Sequence, residues 1–384
     1  MYYVSRAGGV LAAAALLVAA WFSIHLARAD FEFRLRAPDG VARALALEPG
    51  NTEYLAFRAL QVEYDGGDAR PLLARAAELN PLSSAPRIRL GLDAEQRGDF
   101  STAEKWLLEA ARIDRQFEPR WTLANFYFRR ENRGEFWKWM RAALEISYGD
   151  RRPAFDLCWQ VSSDADEILS RVIPSRREVL AAYLGWLLET HRPQAAAPVA
   201  LKLAAAGNAA DRPLLLASDD ALLEADDVAS SLALWKLLGL AAPDGVYRGN
   251  FEAPAVGAGF DWRWQEIPGV VHREIDQPRT MHRISLSGRQ PESCELLRQM
   301  VAVKTGARYR LSWDAGTARM ESPTGIEWRI ADQRAAVGNG HAEVDFTAPS
   351  DLVILKLVYQ RPSGQVRAEG DVELWGIAVN PRGE

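Results

Sequence analysis

The chain is 384 residues long, 48% hydrophobic and 25% charged, with a formal net charge of −5. That length calls for two or three domains rather than one, and the composition is that of a globular protein. Residues 243–384 hold 17 Lys and Arg against 19 Asp and Glu, leaving 29 against 32 in the rest. Neither part has the basic footprint that nucleic acid demands, so no nucleic-acid partner is expected.

From Ala7 to Ala27 only His25 can carry a charge, and Val10–Phe22 is continuously apolar. At about 1.5 Å per residue this stretch matches a bilayer core of roughly 30 Å. Two export readings follow for residues 1–29, set against a buried helix of a soluble domain. One is a retained anchor, with residues 7–27 in the inner membrane and the body in the periplasm. The other is a signal peptide cleaved after Ala29, since Ala27-Arg28-Ala29 resembles an A-x-A site. An Arg in the middle of that triplet favours the anchor.

A phrase then recurs: ALALEP at 44–49, AAELNP at 76–81, AARIDR at 110–115 and AALEIS at 142–147. The offsets are 32, 34 and 32 residues, a period that marks a repeat array in which each unit buries its apolar face on the next. Within it Pro86–Arg97, Ser101–Arg112, Arg120–Arg130 and Phe136–Ile146 read as paired helices, with turns at Gly98-Asp99 and Asn132-Arg133-Gly134. Pro49 and Pro81 follow helix ends, where a residue that cannot continue a helix belongs.

These residues resemble the tetratricopeptide repeat family. The unit at 84–115 supplies Leu90-Gly91, Ala94, Ala103, Leu107 and Ala110, with Arg115 in the place of the family's Pro. The unit at 118–147 supplies Trp121, Phe128 and Ala142, and the unit at 51–81 keeps Ala76 and Pro81. The resemblance covers residues 38–150 and implies a concave face that receives a protein partner. In the family's register that face presents Thr122, Phe126, Arg129 and Arg130. Residues 151–242 read as further helical hairpins or a cap, with helices at Arg176–His191, Gln194–Ala206 and Val228–Gly239. The acidic pair Asp219-Asp220 reads as loop, and Asp226-Asp227 as a helix start that caps its helix.

At Pro243–Tyr247 the period changes from helical to two-residue alternation, and residues 243–384 read as an all-β sandwich. Strands are expected at Val270–Ile275, His282–Leu286, Cys294–Val303, Ala307–Asp314, Gly325–Ala331, Ala342–Phe346, Leu352–Tyr359 and Val372–Val379. Asn250-Phe251-Glu252, Gly259-Phe260-Asp261-Trp262, Arg283–Gly288 and Val303–Trp313 resemble jelly-roll carbohydrate-binding modules. So do Phe346-Thr347-Ala348-Pro349 and the last strand. The fold class expected is therefore multidomain: an all-α tetratricopeptide-like solenoid, then a jelly-roll sandwich, with one N-terminal transmembrane helix. The pairing looks like envelope proteins associated with exopolysaccharide or O-antigen production.

Sugar rings stack on aromatic faces while polar side chains bind their hydroxyls. Alternation assigns Tyr309, Leu311 and Trp313 to the core, with Ile326, Trp328, Ile330, Val353, Leu355, Leu357 and Tyr359. Trp262 and Trp264 share one face of a Gly-flanked segment beside no long apolar run. With Arg263 they are the glycan-contact candidates, the alternative being core or lid packing. Arg329 and Arg361 are further cations for an acidic glycan. The jelly-roll resemblance implies a structural Ca²⁺ at Glu252 and Asp371 or Glu373. So few carboxylates fall short of the roughly six to eight oxygens this ion takes, and no cofactor is expected.

No G-x-S-x-G, H-E-x-x-H or phosphate-binding Gly loop is present, and each of those spacings is what its chemistry requires. His272 and His282 lack metal-ligand spacing. Cys158 and Cys294 are too far apart in sequence for a C-x-x-C site. The expectation is a non-enzymatic, membrane-anchored envelope protein that docks a protein partner on its repeats and polysaccharide on its sandwich. A glycan-active enzyme with a catalytic jelly roll is the alternative, and a purely structural assembly protein is the third reading.

Overall fold

The computed structural model describes residues 2–35, 38–240, 245–276, 280–320 and 323–382. Among them fourteen α-helices precede ten β-strands. By compactness the chain divides between Pro174 and Ser175, so the last four helices group with the sandwich.

The first unit begins with α1 (Tyr2–Arg34), long and apolar enough to cross a membrane over Gly9–Arg34. Then come α2 (Pro38–Leu47), α3 (Thr52–Tyr64), α4 (Arg70–Leu79), α5 (Ala85–Gln96), α6 (Phe100–Ile113), α7 (Phe117–Arg129) and α8 (Arg133–Ile146). The repeat phrases end α2, α4, α6 and α8. Their alanines Ala44, Ala76, Ala110 and Ala143 are fully buried, because small side chains let paired helices close. Gly91 shows the tightest approach: a Cβ there would stand 2.7 Å from the Leu107 side chain of α6. The unit closes with α9 (Arg152–Val161) and α10 (Ala165–Arg171), two helices the periodicity does not pick out.

The second unit opens with the same hairpin construction in α11 (Arg177–Glu189), α12 (Pro193–Ala205), α13 (Arg212–Glu224) and α14 (Val228–Leu237). Five hairpin turns across the two units share one backbone device. The N–H groups of Gly67, Asp99, Asn132, Arg192 and Asp227 donate to the carbonyls of Val62, Ala94, Tyr127, Leu187 and Leu222, 2.7–3.0 Å away. In each, the preceding residue is left-handed: Gly66, Gly98, Glu131, His191 and Asp226. This is the helix-ending motif that satisfies orphan carbonyls. Ion pairs 34 residues apart follow the period: Arg129 with Glu95, Arg133 with Glu167, and Arg177 with Asp211. Asp227 caps α14 through the Ser230 N–H, as expected. Asp219 and Asp220 lie inside α13 and not in a loop; the helix runs through them because Ser231 of α14 gives Asp219 a hydrogen bond at 2.6 Å.

All eight expected strands form. They are β2 (Val270–Ile275), β3 (Met281–Ser287), β4 (Ser293–Ala302), β5 (Arg308–Ala318), β6 (Ile326–Ile330), β8 (Gly340–Thr347), β9 (Leu352–Gln360) and β10 (Glu369–Pro381). Two short ones join them, β1 (Arg263–Trp264) and β7 (Gln333–Ala336). They make two antiparallel five-stranded sheets, β1-β4-β9-β6-β7 and β2-β3-β10-β5-β8. Leu311, Trp313, Trp328, Leu355, Leu357 and Tyr359 fill the space between them. At the helical end Trp235 of α14 packs edge-on to Tyr247 and Phe260, with Leu223 of α13 beside it.

Candidate functional site

The outer face of the second sheet carries a continuous set of polar side chains. In β5 the alternation that turns Leu311, Trp313 and Ala315 inward turns Arg310, Ser312, Asp314 and Gly316 outward. In β10 it turns Asp371, Glu373 and Trp375 outward. A bulge follows Trp375, made by Gly376 at φ 61° and held by the Asn250 Oδ1, which accepts from the Gly376 N–H at 2.8 Å. Bulges re-aim the side chain they follow. The Trp375 indole lies over Gly316, where even a Cβ would touch the ring at 3.7 Å.

Register sets Trp375 opposite Asp314, and Asp314 opposite His341, in one row across three strands. His341 Nδ1 is 3.2 Å from the Asp314 carboxylate. Around the row, Arg283 donates to Glu373 at 2.9 Å, and Arg310 pairs with Glu343 and Asp345 at 2.8 Å. Ser285 and Arg319 each donate to Asp371 at 2.6 Å. Those two bonds, the serine's first, hold the Asp371 carboxyl below its ordinary range. Beyond Asp345 the face runs into a pocket of about 880 Å³ lined by Arg308, Asp332, Gln333, Thr347 and Arg382. A half-buried indole beside fixed carboxylates and guanidiniums suits a polyhydroxylated ring: one face to stack, fixed partners for the hydroxyls.

The three predicted sandwich contacts lie elsewhere. Trp262 is only 3% exposed, and the expectation that it lines a groove is corrected: it packs on Trp328 and Phe251, and its Nε1 donates to the Arg248 carbonyl. Trp264 turns to the same side, half-buried, lying flat against the rings of His272 and His282 at 4.3 and 3.9 Å. Arg263 is committed to Asp220 of α13. Arg329 and Arg361 are paired with Glu327 and Glu292. The sheet also brings His272 and His282 together, Nδ1 to Nε2, at 3.2 Å. Burial holds His282 neutral, lowering its pKa to about 3. Of the Ca²⁺ candidates, Glu252 is exposed, Asp371 is taken up by Ser285 and Arg319, and Glu373 by Arg283. Among the described residues no group of three or more His, Cys, Asp or Glu is placed to hold a metal.

On the repeats, Phe126 is 2% exposed, which corrects its assignment to the concave surface: it packs edge-on against Tyr127, whose hydroxyl donates to Glu104. Thr122 is half-buried, and its hydroxyl donates to the Glu118 carbonyl. Arg129 makes a two-pronged bond to Glu95, and Arg130 lies 3.8 Å over the Phe100 ring. Beside them, Phe128, Arg129, Glu131, Arg133, Phe136 and Gln160 line a pocket of about 480 Å³.

No family model matches the sequence, and no curated protein matches it. Several solved structures are similar to parts of it. A CBM4 structure is 15% identical over 36% of this chain and 99% of its own, with a TM-score of 0.27. Yeast Tom70 is 18% identical, and the match covers 51% of this chain and 44% of Tom70, with a TM-score of 0.31. The C-terminal part of a TPR repeat-containing protein from Cytophaga hutchinsonii is 15% identical over 56% of this chain and 93% of that one, at 0.29. These are likenesses of fold, and the chemistry of the site rests on the side chains above.

Proposed function

We propose that this chain is a non-enzymatic, membrane-anchored binding protein of the bacterial envelope that serves surface polysaccharide biosynthesis or export. In this reading α1 sits in the inner membrane and the body lies in the periplasm. The helical repeats take a protein partner, with Arg129, Arg130 and the pocket beside Phe128 as its contact region. The sandwich takes glycan on its outer sheet face. The observation that carries the glycan part is Trp375, turned outward on β10 in one row with Asp314 and His341 and two residues from the Glu373 that Arg283 holds.

Retention of the full chain on immobilised acidic and neutral polysaccharides tests it. Trp375→Ala removes the stacking face and is expected to weaken retention on the order of tenfold, with the melting temperature unchanged. Wild-type protein that is retained by no glycan sinks the sugar-binding part. Turnover of any oligosaccharide by the wild type sinks the non-enzymatic part.

A further inference from the structure

We propose that α1 is one continuous beam: its first part crosses the bilayer, and its last turns are a permanent wall of the first helical hairpin, so the segment is retained and never removed as a leader. The proposal rests on the membrane reading given above. From Val10 to Leu26 every large apolar side chain is exposed by 50% or more. A helix that is apolar all round and left uncovered by the described residues is matched to lipid.

Burial begins where the polar residues do. Ala29 is 0% exposed, enclosed with Ala44 of α2 and Tyr54 of α3. Phe33, four residues on and therefore on the same stripe, packs against Tyr54 at 4.6 Å and Phe57 at 5.4 Å. One turn before Ala29, the His25 ring Nε2 is 3.0 Å from the Leu47 carbonyl that ends α2. His25 also stacks on Trp21, an aromatic at the level where interfacial tryptophans sit. Beyond Ala29 come the ion pairs Arg34–Asp30 and Arg43–Glu32. The border between lipid and water therefore falls between Trp21 and Asp30, inside unbroken helix.

A cut after Ala29 is incompatible with this arrangement. It would remove Ala29 and His25 and uncover Ala44 and Tyr54, which Ala29 packs with and which are 0% and 5% exposed. The remnant Asp30–Arg34 is far shorter than the roughly 12 residues a free helix needs. The last turns of α1 thus belong to the same continuous helix as its apolar span.

The full chain, expressed in a Gram-negative host, is fractionated with an alkaline carbonate wash, its intact mass is measured, and it is probed by limited proteolysis. The expected result is an unprocessed chain in the washed membranes. Ala29→Glu, which drives a charge into the closed wall, should speed cleavage within residues 30–80 by about tenfold or more. Phe31→Glu, at a position 63% exposed, should not. A chain that begins at Asp30 overturns the proposal outright. An unprocessed chain that washes off the membrane overturns the bilayer part, and the anchoring part of the proposed function with it. A membrane-held, unprocessed chain in which Ala29→Glu is cleaved no faster than wild type overturns the shared wall alone.

Discussion

Trp264 and Trp375 present the same residue type in opposite roles, and the difference lies in their strands. Alternation puts Trp262 and Trp264 on one side, and both do face one way. It cannot say which side meets water, because β1 is two residues long and pairs with β4 at the sheet edge. There Trp264 covers the seam between the sheets, against His272 and His282 of β2 and β3. Trp375 escapes a reading of strand residues because the bulge after it breaks the two-residue count. The consequence is a separation of effects. Trp264→Ala opens a void at the seam and is expected to cost about 2–4 kcal/mol of stability in a urea titration. Trp375→Ala should leave the urea midpoint within about 0.5 kcal/mol of wild type, since this half-buried indole lies on the outer face of its sheet and not in the core between the sheets.

At the level of elements, strands were more legible than helices. Every strand with three or more inward apolar residues, such as β5 with Leu311, Trp313 and Ala315, announces itself by alternation. The short edge strands β1 and β7 do not. Glycine marks some of the hairpin turns and not others. Gly98 marks the α5–α6 turn, but the turns after α7, α11 and α13 place Glu131, His191 and Asp226 in the same left-handed conformation, at φ 55, 54 and 58°. Such residues give no signal of their own; the α7–α8 turn is read from Asn132 to Gly134 beside Glu131 and the α11–α12 turn from the helices that flank it, while α9, α10 and α13 go unseen. They also carry strain that glycine lacks, about 1 kcal/mol each. Glu131→Gly, His191→Gly and Asp226→Gly are each expected to hold or raise stability by up to about 1 kcal/mol, whereas Gly98→Ala lowers it. Chemical denaturation of the four variants checks the set, and a uniform loss across the three glycine substitutions would falsify the turn argument.

Across the molecule, the second unit buries two titratable groups whose effects on stability oppose each other. Asp219 is fully buried between α13 and α14, with Ser231 on one oxygen and Asp220 and Arg263 nearby. Burial raises its pKa from 3.8 to about 7. His282 is 4% exposed, faced by His272 and Arg248, and burial lowers its pKa from 6.5 to about 3. Between about pH 4 and 6.5 the native Asp219 holds a proton that the unfolded chain has released, so this group's contribution falls as pH rises. Over the same range the unfolded His282 holds a proton that the native ring rejects, so its contribution rises with pH. Each slope is about 1.4 kcal/mol per pH unit, and in the wild type they oppose each other. Single substitutions uncover them. Asp219→Asn should gain stability relative to wild type as pH climbs from 4.5 to 6.5. His282→Gln should lose stability relative to wild type over the same range. The difference curves isolate each group from the surface carboxylates common to all three proteins. Parallel pH profiles for wild type and both variants, by thermal or urea unfolding, would show that neither group is buried in the state assigned to it.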